Sequence, residues 1–322
     1  KNCESILIST CLFFFAMYYM WEDISSGSLL GTTHGKSVGL AVCEAWARQE
    51  GDGTETVFES DVMYNGSHVL VTDLHGRRQL LFRPTQGNEC GFMSDVECYG
   101  CSPGNFNCSC TQGDIPLEPW NQGLLAGVLE YYRGVDVNHS VHVGLGAGVV
   151  PTWLEKHILN LNMEAAELSE EVFSVLPFFG VQNSTRKHIF RMDGRTLIES
   201  QENASVDFII IDAMDEELRV PDCLKTVEFF HLVHSKLTPG GVMVMNTNRK
   251  HYDARHVLPG LATSFREPYS LYKANVGGAG VEFLAVKPGI NASGRLSARR
   301  IARPFTKQVR YVHVKPSEAA HM

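Results

Sequence analysis

Hydrophobic and polar positions change period along the 322 residues, and each change marks a segment. Residues 6–21 are almost unbroken apolar, preceded by Lys1 and followed by Glu22 and Asp23. As a helix such a run reaches about 24 Å, against about 30 Å for a bilayer core. Residues 1–24 therefore suit a signal peptide or a short signal anchor, with a buried helix as the alternative. Residues 25–55, with one apolar patch from Val38 to Trp46, read as a stalk or linker. The period then becomes two over 56–60, 67–73 and 77–83, with breaks at Asn65-Gly66 and His75-Gly76. That pattern predicts a small β-hairpin domain over 56–89.

After a Cys-rich insert at 90–118, the period turns helical over 119–133. From Ser140 short apolar runs alternate with helical ones. Strands are predicted at 141–144, 163–167, 187–192, 206–212 and 242–246. Helices are predicted at 150–161, 169–179, a short stretch to 200, 224–237 and 254–265. Near-continuous apolar strands between helices predict a parallel sheet covered on both faces. Two closing strands, 269–274 and 281–287, have no helix between them and predict a terminal antiparallel hairpin. The expected class is thus α/β: a Rossmann-like doubly wound sheet over 119–291, closed by that hairpin and preceded by the β-hairpin domain. Residues 292–322 hold seven Lys/Arg against one Glu. They read as a solvated, flexible basic tail, or as a docking element for an acidic partner.

Composition narrows the function classes. A 44% hydrophobic content with 20% charged residues excludes disorder as the main state. With 28 Lys+Arg against 36 Asp+Glu there is no global basic field, so nucleic acid is not an expected partner. Five of the nine cysteines (Cys90, Cys98, Cys101, Cys108 and Cys110) fall within 21 residues. A zinc site would call for two C-x-x-C pairs, and only Cys98 and Cys101 make one. A disulfide-stapled loop, set apart from the chemistry, is the better reading, with the odd cysteine paired elsewhere or free. Six N-x-[ST] sequons, at Asn65, Asn107, Asn138, Asn183, Asn203 and Asn291, agree with it. The expected location is the secretory pathway, in the ER or Golgi lumen or held by a single membrane anchor; the cytoplasm is the alternative.

The residues that could carry chemistry lie at predicted strand ends. Gly144-Leu-Gly146-Ala-Gly148 closes one strand and opens a helix. Glycines there let the backbone turn sharply and let a ligand approach. Glu167, at the end of the next strand, is placed to accept both hydroxyls of a ribose. Val149 stands where a dinucleotide fingerprint needs its last glycine, which favours a nucleoside ligand without phosphates. Asp193-Gly194 follows the third strand, with Asp193 placed to accept from an adenine amine, to cap a helix, or both. Asp212 ends the best strand and points at the reacting centre, to orient or deprotonate an amine. Asp215 either binds substrate or faces solvent. Asn246 is a further polar candidate at the crevice. No metal is expected.

As a set, the glycine loop, Glu167, Asp193-Gly194, Asp212-x-x-Asp215 and Leu237-Thr-Pro-Gly-Gly241 resemble S-adenosylmethionine-dependent methyltransferases of the spermidine-synthase-like group. Gly144 to Pro151, Phe178-Phe-Gly180 and Val281-Glu-Phe-Leu284 are similar to the C-terminal half of the methyltransferase-like protein 13 family, which methylates elongation factor one-alpha. The resemblance implies S-adenosylmethionine as co-substrate and an amine acceptor, such as a protein lysine or N-terminus. It assigns Gly144, Gly146, Gly148, Glu167, Asp193, Gly194 and Asp212 to the donor, and Asp212 and Asp215 to catalysis. Relatives with such a β-domain often pair, so a homodimer is an expectation too. Spermidine synthases carry an Asp within their glycine loop and a tyrosine before that strand. This chain has Leu145 and Ala147 between the glycines and Trp120-Asn-Gln122 in the tyrosine segment. Methyl transfer is therefore the leading expectation, with aminopropyl transfer and an inactive lumenal member of the fold as the alternatives.

Overall fold

The computed structural model describes residues 54–61, 67–74, 76–84, 91–99, 109–110, 119–131, 137–215, 219–248, 253–266, 271–276, 280–288 and 312–314. The N-terminal apolar run, the stalk, and Asn65, Asn107 and Asn291 lie outside them. No helix among the described residues is long and apolar enough to cross a membrane.

The first sheet is an antiparallel meander of β1 (Thr54–Glu59), β2 (Ser67–Leu74), β3 (Arg77–Pro84), β4 (Gly91–Tyr99) and β5 (Ser109–Cys110). Its extent is larger than the hydrophobic alternation predicted, because residues 91–99 are a nine-residue strand and not a loop. The alternation hides at Ser94 and Asp95, which are polar yet buried. Asp95 ion-pairs with Arg77 across β3, and Ser94 faces the larger domain. A Cys98–Cys110 disulfide ties β4 to β5.

The second sheet has eight strands: β6 (His139–Val143), β7 (Asn162–Glu167), β8 (Lys187–Arg191), β9 (Val206–Ile211), β10 (Leu237–Asn248), β11 (Leu271–Val276), β12 (Gly280–Val286) and β13 (Val312–His313). Their spatial order is β13-β11-β12-β10-β9-β6-β7-β8. The run from β10 to β8 is parallel, and β12, β11 and β13 are antiparallel. In β9 the period of two sorts the core: Phe208 and Ile210 pack with α1 (Pro119–Tyr131) and α2 (Val149–His157). Ile209 and Ile211 pack on the other face with α4 (Gly194–Ser200), α5 (Val227–Lys236) and α6 (Asp253–Ser264). Both faces are covered, as near-continuous apolar strands require.

Two helices are shorter than their patterns. α2 stops at His157, where Ile158 turns extended and Leu161 dives into the core ahead of β7. α3 (Glu170–Val175), capped by the Ser169 hydroxyl, gives way to a tighter turn over Leu176–Phe179. Pro177 lacks the amide hydrogen that a continuing α-helix needs. The tail also departs from expectation. Within it β13 pairs with β11, and Val314 is buried in the core at 4% exposure.

The meander packs on the second sheet through Val69, Val71, Leu80 and Val96 against Leu145, Ala147, Val172 and Phe179. Arg78 of β3 is fully buried in this seam. It pairs with Asp73 at 3.1 Å and donates to the Phe178 carbonyl at 2.7 Å. Removing one partner from a buried pair of this kind costs about 3–5 kcal/mol, and the bond to the Phe178 carbonyl ties the meander to the larger domain.

Candidate active site

Strand order reverses at one place. From β6 the chain proceeds outward through β7 and β8, whereas β9 and β10 lie on the other side. Open α/β sheets form their ligand crevice there, beyond the carboxyl ends of the strands. Backbone bonds align those ends: Asp212 N–H donates to the Val143 carbonyl at 2.8 Å, Gly144 to Ala166 at 3.0 Å and Met192 to Glu167 at 3.0 Å. Asp212, Gly144, Glu167 and Asp193 thus stand on four neighbouring strands, about 4.8 Å apart per strand. The structure brings all of the predicted donor residues to this one edge.

The glycine loop needs its glycines for conformation and for space. Gly144 has φ +85°, and a Cβ there would sit 2.7 Å from the Asp212 carbonyl oxygen. Gly148, at φ +66°, would meet Val181 at 2.6 Å. The close approach is between parts of the chain itself, which presses β6 against β9 and seats the start of α2. Gly194 is likewise a packing position, with Val143 occupying its Cβ space.

Glu167 binds the loop. Its Oε2 accepts from Leu145 N–H at 3.1 Å and its Oε1 from Ser169 N–H at 2.9 Å. Burial pushes its pKa up, and these amides, with those of Leu168 and Gly146, pull against that shift. A carboxylate oxygen can accept more than one donor, so Glu167 can take ribose hydroxyls while holding the loop. Asp193 caps α4, accepting from Thr196 N–H at 2.9 Å. That leaves its second carboxylate oxygen for an adenine amine.

Asp212 is the group with unusual chemistry. Burial pushes its pKa up to about 6, opposed by a hydrogen bond from the Asn246 side-chain amide at 2.8 Å. A carboxylate poised there is matched to take a proton near neutral pH. Asp215 is placed differently. It accepts from Arg219 N–H at 2.8 Å and Arg219 Nε at 3.1 Å, closing a loop beside the crevice. Contact with a substrate amine would require it to share or leave that guanidinium.

Two residues at the site escape sequence reasoning. Ser94 of β4 accepts from Ala147 N–H at 3.4 Å, so the Cys-rich region touches the glycine loop and is not set apart from it. Glu282 of β12 is fully buried and lies opposite Asn246 in the ladder. A Cβ on Gly123 of α1 would come within 2.1 Å of its carboxylate, so the acid packs directly on the N-terminal part of that helix. An acid is well placed against the positive end of a helix dipole. Its only signal in sequence is a Glu inside an apolar strand. No group of three or more His, Cys, Asp or Glu among the described residues is arranged to hold a metal.

Comparison with known proteins bears on the fold that holds these residues. Residues 157–264 match the spermine/spermidine synthase domain family. A stretch of 113 residues is 25% identical to a probable polyamine aminopropyl transferase of Bifidobacterium longum (strain NCC 2705). It covers 35% of this chain and 25% of the relative, so the match spans a quarter of that protein's length. The fold is similar to the crystal structure of a probable spermidine synthase from Corynebacterium glutamicum ATCC 13032. The TM-score is 0.60 at 17% identity, over 80% of this chain and 90% of that one. A spermidine synthase in complex with the transition-state analogue AdoDATO gives a TM-score of 0.54 at 14% identity, over 83% and 84%. The chain has the Rossmann-like α/β methyltransferase fold with a mixed sheet, preceded by an N-terminal hairpin sheet.

Proposed function

We propose that the chain transfers an alkyl group from an adenosyl sulfonium donor to an amine, with aminopropyl transfer to a polyamine-type acceptor as the leading reading. The observation that carries it is Asp212: a desolvated carboxylate, oriented by Asn246, at the point where the chain leaves β6 and β9 toward opposite faces of the sheet. The spermine/spermidine synthase match over residues 157–264 includes Glu167, Asp193, Asp212 and Asp215, and it supports aminopropyl over methyl transfer.

Glu167 would hold the donor ribose and Asp193 the adenine amine. The acceptor arrives largely as an ammonium ion, which has no lone pair to attack with. Asp212 takes the proton and orients the nitrogen. The freed lone pair attacks the donor carbon beside sulfur, a C–N bond forms and the C–S bond breaks. The bonding pair stays on sulfur, which leaves as a neutral thioether. Alignment of nitrogen, carbon and sulfur supplies most of the rate in such a reaction.

Methyl transfer remains the second reading. The glycine loop has Leu145 and Ala147 where spermidine synthases place an acid that meets an amine, and Trp120-Asn-Gln122 lacks their tyrosine. The thioether product separates the two. Chain supplied with decarboxylated S-adenosylmethionine and a diamine should release methylthioadenosine; methyl transfer from S-adenosylmethionine would release S-adenosylhomocysteine instead. Absence of both thioethers, with no donor binding by calorimetry, would sink both readings.

A further inference from the structure

Parallel strands all enter their sheet from one end, so the connections that precede them share a pole opposite the ligand crevice. Each sequon among the described residues falls in such a connection. Asn138 immediately precedes β6, Asn183 lies four residues before β8, and Asn203 lies three residues before β9. All three side chains are exposed.

We infer that this pole carries N-linked glycans at Asn138, Asn183 and Asn203, in a chain that matures in an oxidising compartment. The inference is independent of the reaction proposed above. Local geometry is compatible with attachment at each place. Asn183 uses its Oδ1 to accept from Ile189 N–H at 2.6 Å, and glycosylation replaces a hydrogen on Nδ2 and spares that oxygen. Asn203 precedes Ala204, whose positive φ of 56° marks the tip of a tight turn. Asn138 uses its backbone carbonyl to accept from Asn162 N–H, which leaves the side chain outside the ladder.

Beside two of these positions lies a shallow polar cavity of about 370 Å³, lined by His139, Glu164, Ser200, Gln201, Glu202 and Ser205. Except for Glu164, its walls are chain neighbours of Asn138 and Asn203, and they offer donors and acceptors to the hydroxyls of a first sugar. The disulfides are an independent sign of compartment. Cys98 is bonded to Cys110, and Cys223 is also disulfide-bonded. Disulfides persist where secreted and lumenal proteins fold, which is where oligosaccharides are transferred to asparagine. In the transfer, Nδ2 displaces the pyrophosphate of a lipid-linked oligosaccharide at the anomeric carbon. A C–N bond forms, the C–O bond breaks with its electrons going to pyrophosphate, and the amide loses one proton.

The test is to make the full chain in the secretory pathway of cultured eukaryotic cells. The purified protein is then treated with peptide-N-glycosidase in heavy-oxygen water, and its peptides are mapped by mass spectrometry. Isotope incorporation at all three of positions 138, 183 and 203 is the expected result. Asn138→Gln, Asn183→Gln and Asn203→Gln should each remove one step from the gel ladder. Incorporation at fewer positions overturns the inference. So does recovery of the chain only from the cytosol with Cys98 and Cys110 as free thiols. None of these readings requires a bound donor, so they stand or fall apart from the proposed reaction.

Discussion

At one end of β9, Asp207 sets Oδ2 against the amides of Asn138 and His139 at 2.8 and 3.1 Å, and Oδ1 against the Thr238 hydroxyl at 3.2 Å. Five residues on, at the other end, Asp212 accepts from the neutral Asn246 amide at 2.8 Å. The first carboxylate has its lone pairs used by backbone and hydroxyl donors, so it fastens the entry to β6. The second is desolvated with little to offset that cost, so it holds a proton more readily than an ordinary Asp. One strand thus carries a structural acid and a reactive one, and the difference lies in the donors each meets.

The strongest way to break that comparison is Asp212→Asn. Loss of a general base typically lowers turnover by about 100- to 10,000-fold, and calorimetry should show donor binding retained. The same variant reads out the raised pKa through stability. Between the ordinary value of 3.8 and about 6, the folded state keeps a proton that the unfolded chain has released. Raising pH through that window therefore lowers wild-type stability, and denaturant titrations of Asp212→Asn should lose that decline. Activity of the wild type should fall as pH drops below about 6, because the base becomes protonated.

Glu167→Gln comes next. Hydrogen bonds to a charged group contribute about 1.5–3 kcal/mol, or roughly a 10- to 100-fold weakening of donor affinity. An unchanged dissociation constant would remove Glu167 from the donor site. A smaller effect is expected at α1, where it packs on β12. Gly123→Ala drives a methyl group into the Glu282 carboxylate and should destabilise by about 1–3 kcal/mol, as overpacking does. Adding Glu282→Ala should recover part of that loss, and strict additivity in the double-mutant cycle would show that the two do not interact. Asp207→Asn is the control at the opposite pole. It should cost about 1 kcal/mol of stability and leave donor affinity where it was.

Most of the parallel sheet was legible because its strands are apolar on both faces and its helices have marked ends. Phe208 to Ile211 and the Ser169 cap are instances, whereas the Thr226 cap lies inside the helix expected over 224–237. The row of Gly144, Glu167, Asp193 and Asp212 was legible for a related reason: parallel strands bring residues at their carboxyl ends to one edge. What sequence hid was polar burial settled by distant partners. Ser94 and Asp95 interrupt the alternation of β4 and are explained only by Ala147 and Arg77, which lie far away in sequence. Glu282 looks like an error in a hydrophobic strand until Gly123 is seen to leave room for it. Asp215 reads in the sequence as either a substrate contact or a solvent-facing acid, and its pairing with Arg219 emerges only in three dimensions.

An open sheet has two edges, and bare edges recruit strands from other molecules. This chain protects its edges unequally. β8 ends one side with the exposed Arg191, which pairs with Glu170 and leaves a charged group on that rim, while its Lys187 is buried against Glu155. β11 ends the other side with the alternating Leu271-Tyr-Lys-Ala-Asn-Val, and it is covered by β13 from the far end of the chain. Two paired residues and the buried Val314 are a small cover, reached through a long basic segment. Cleavage in that segment would leave the crevice residues untouched and uncover a strand-shaped vacancy. The damaged molecule would then be adhesive before it was inactive, which makes residues 312–314 a guard against self-association.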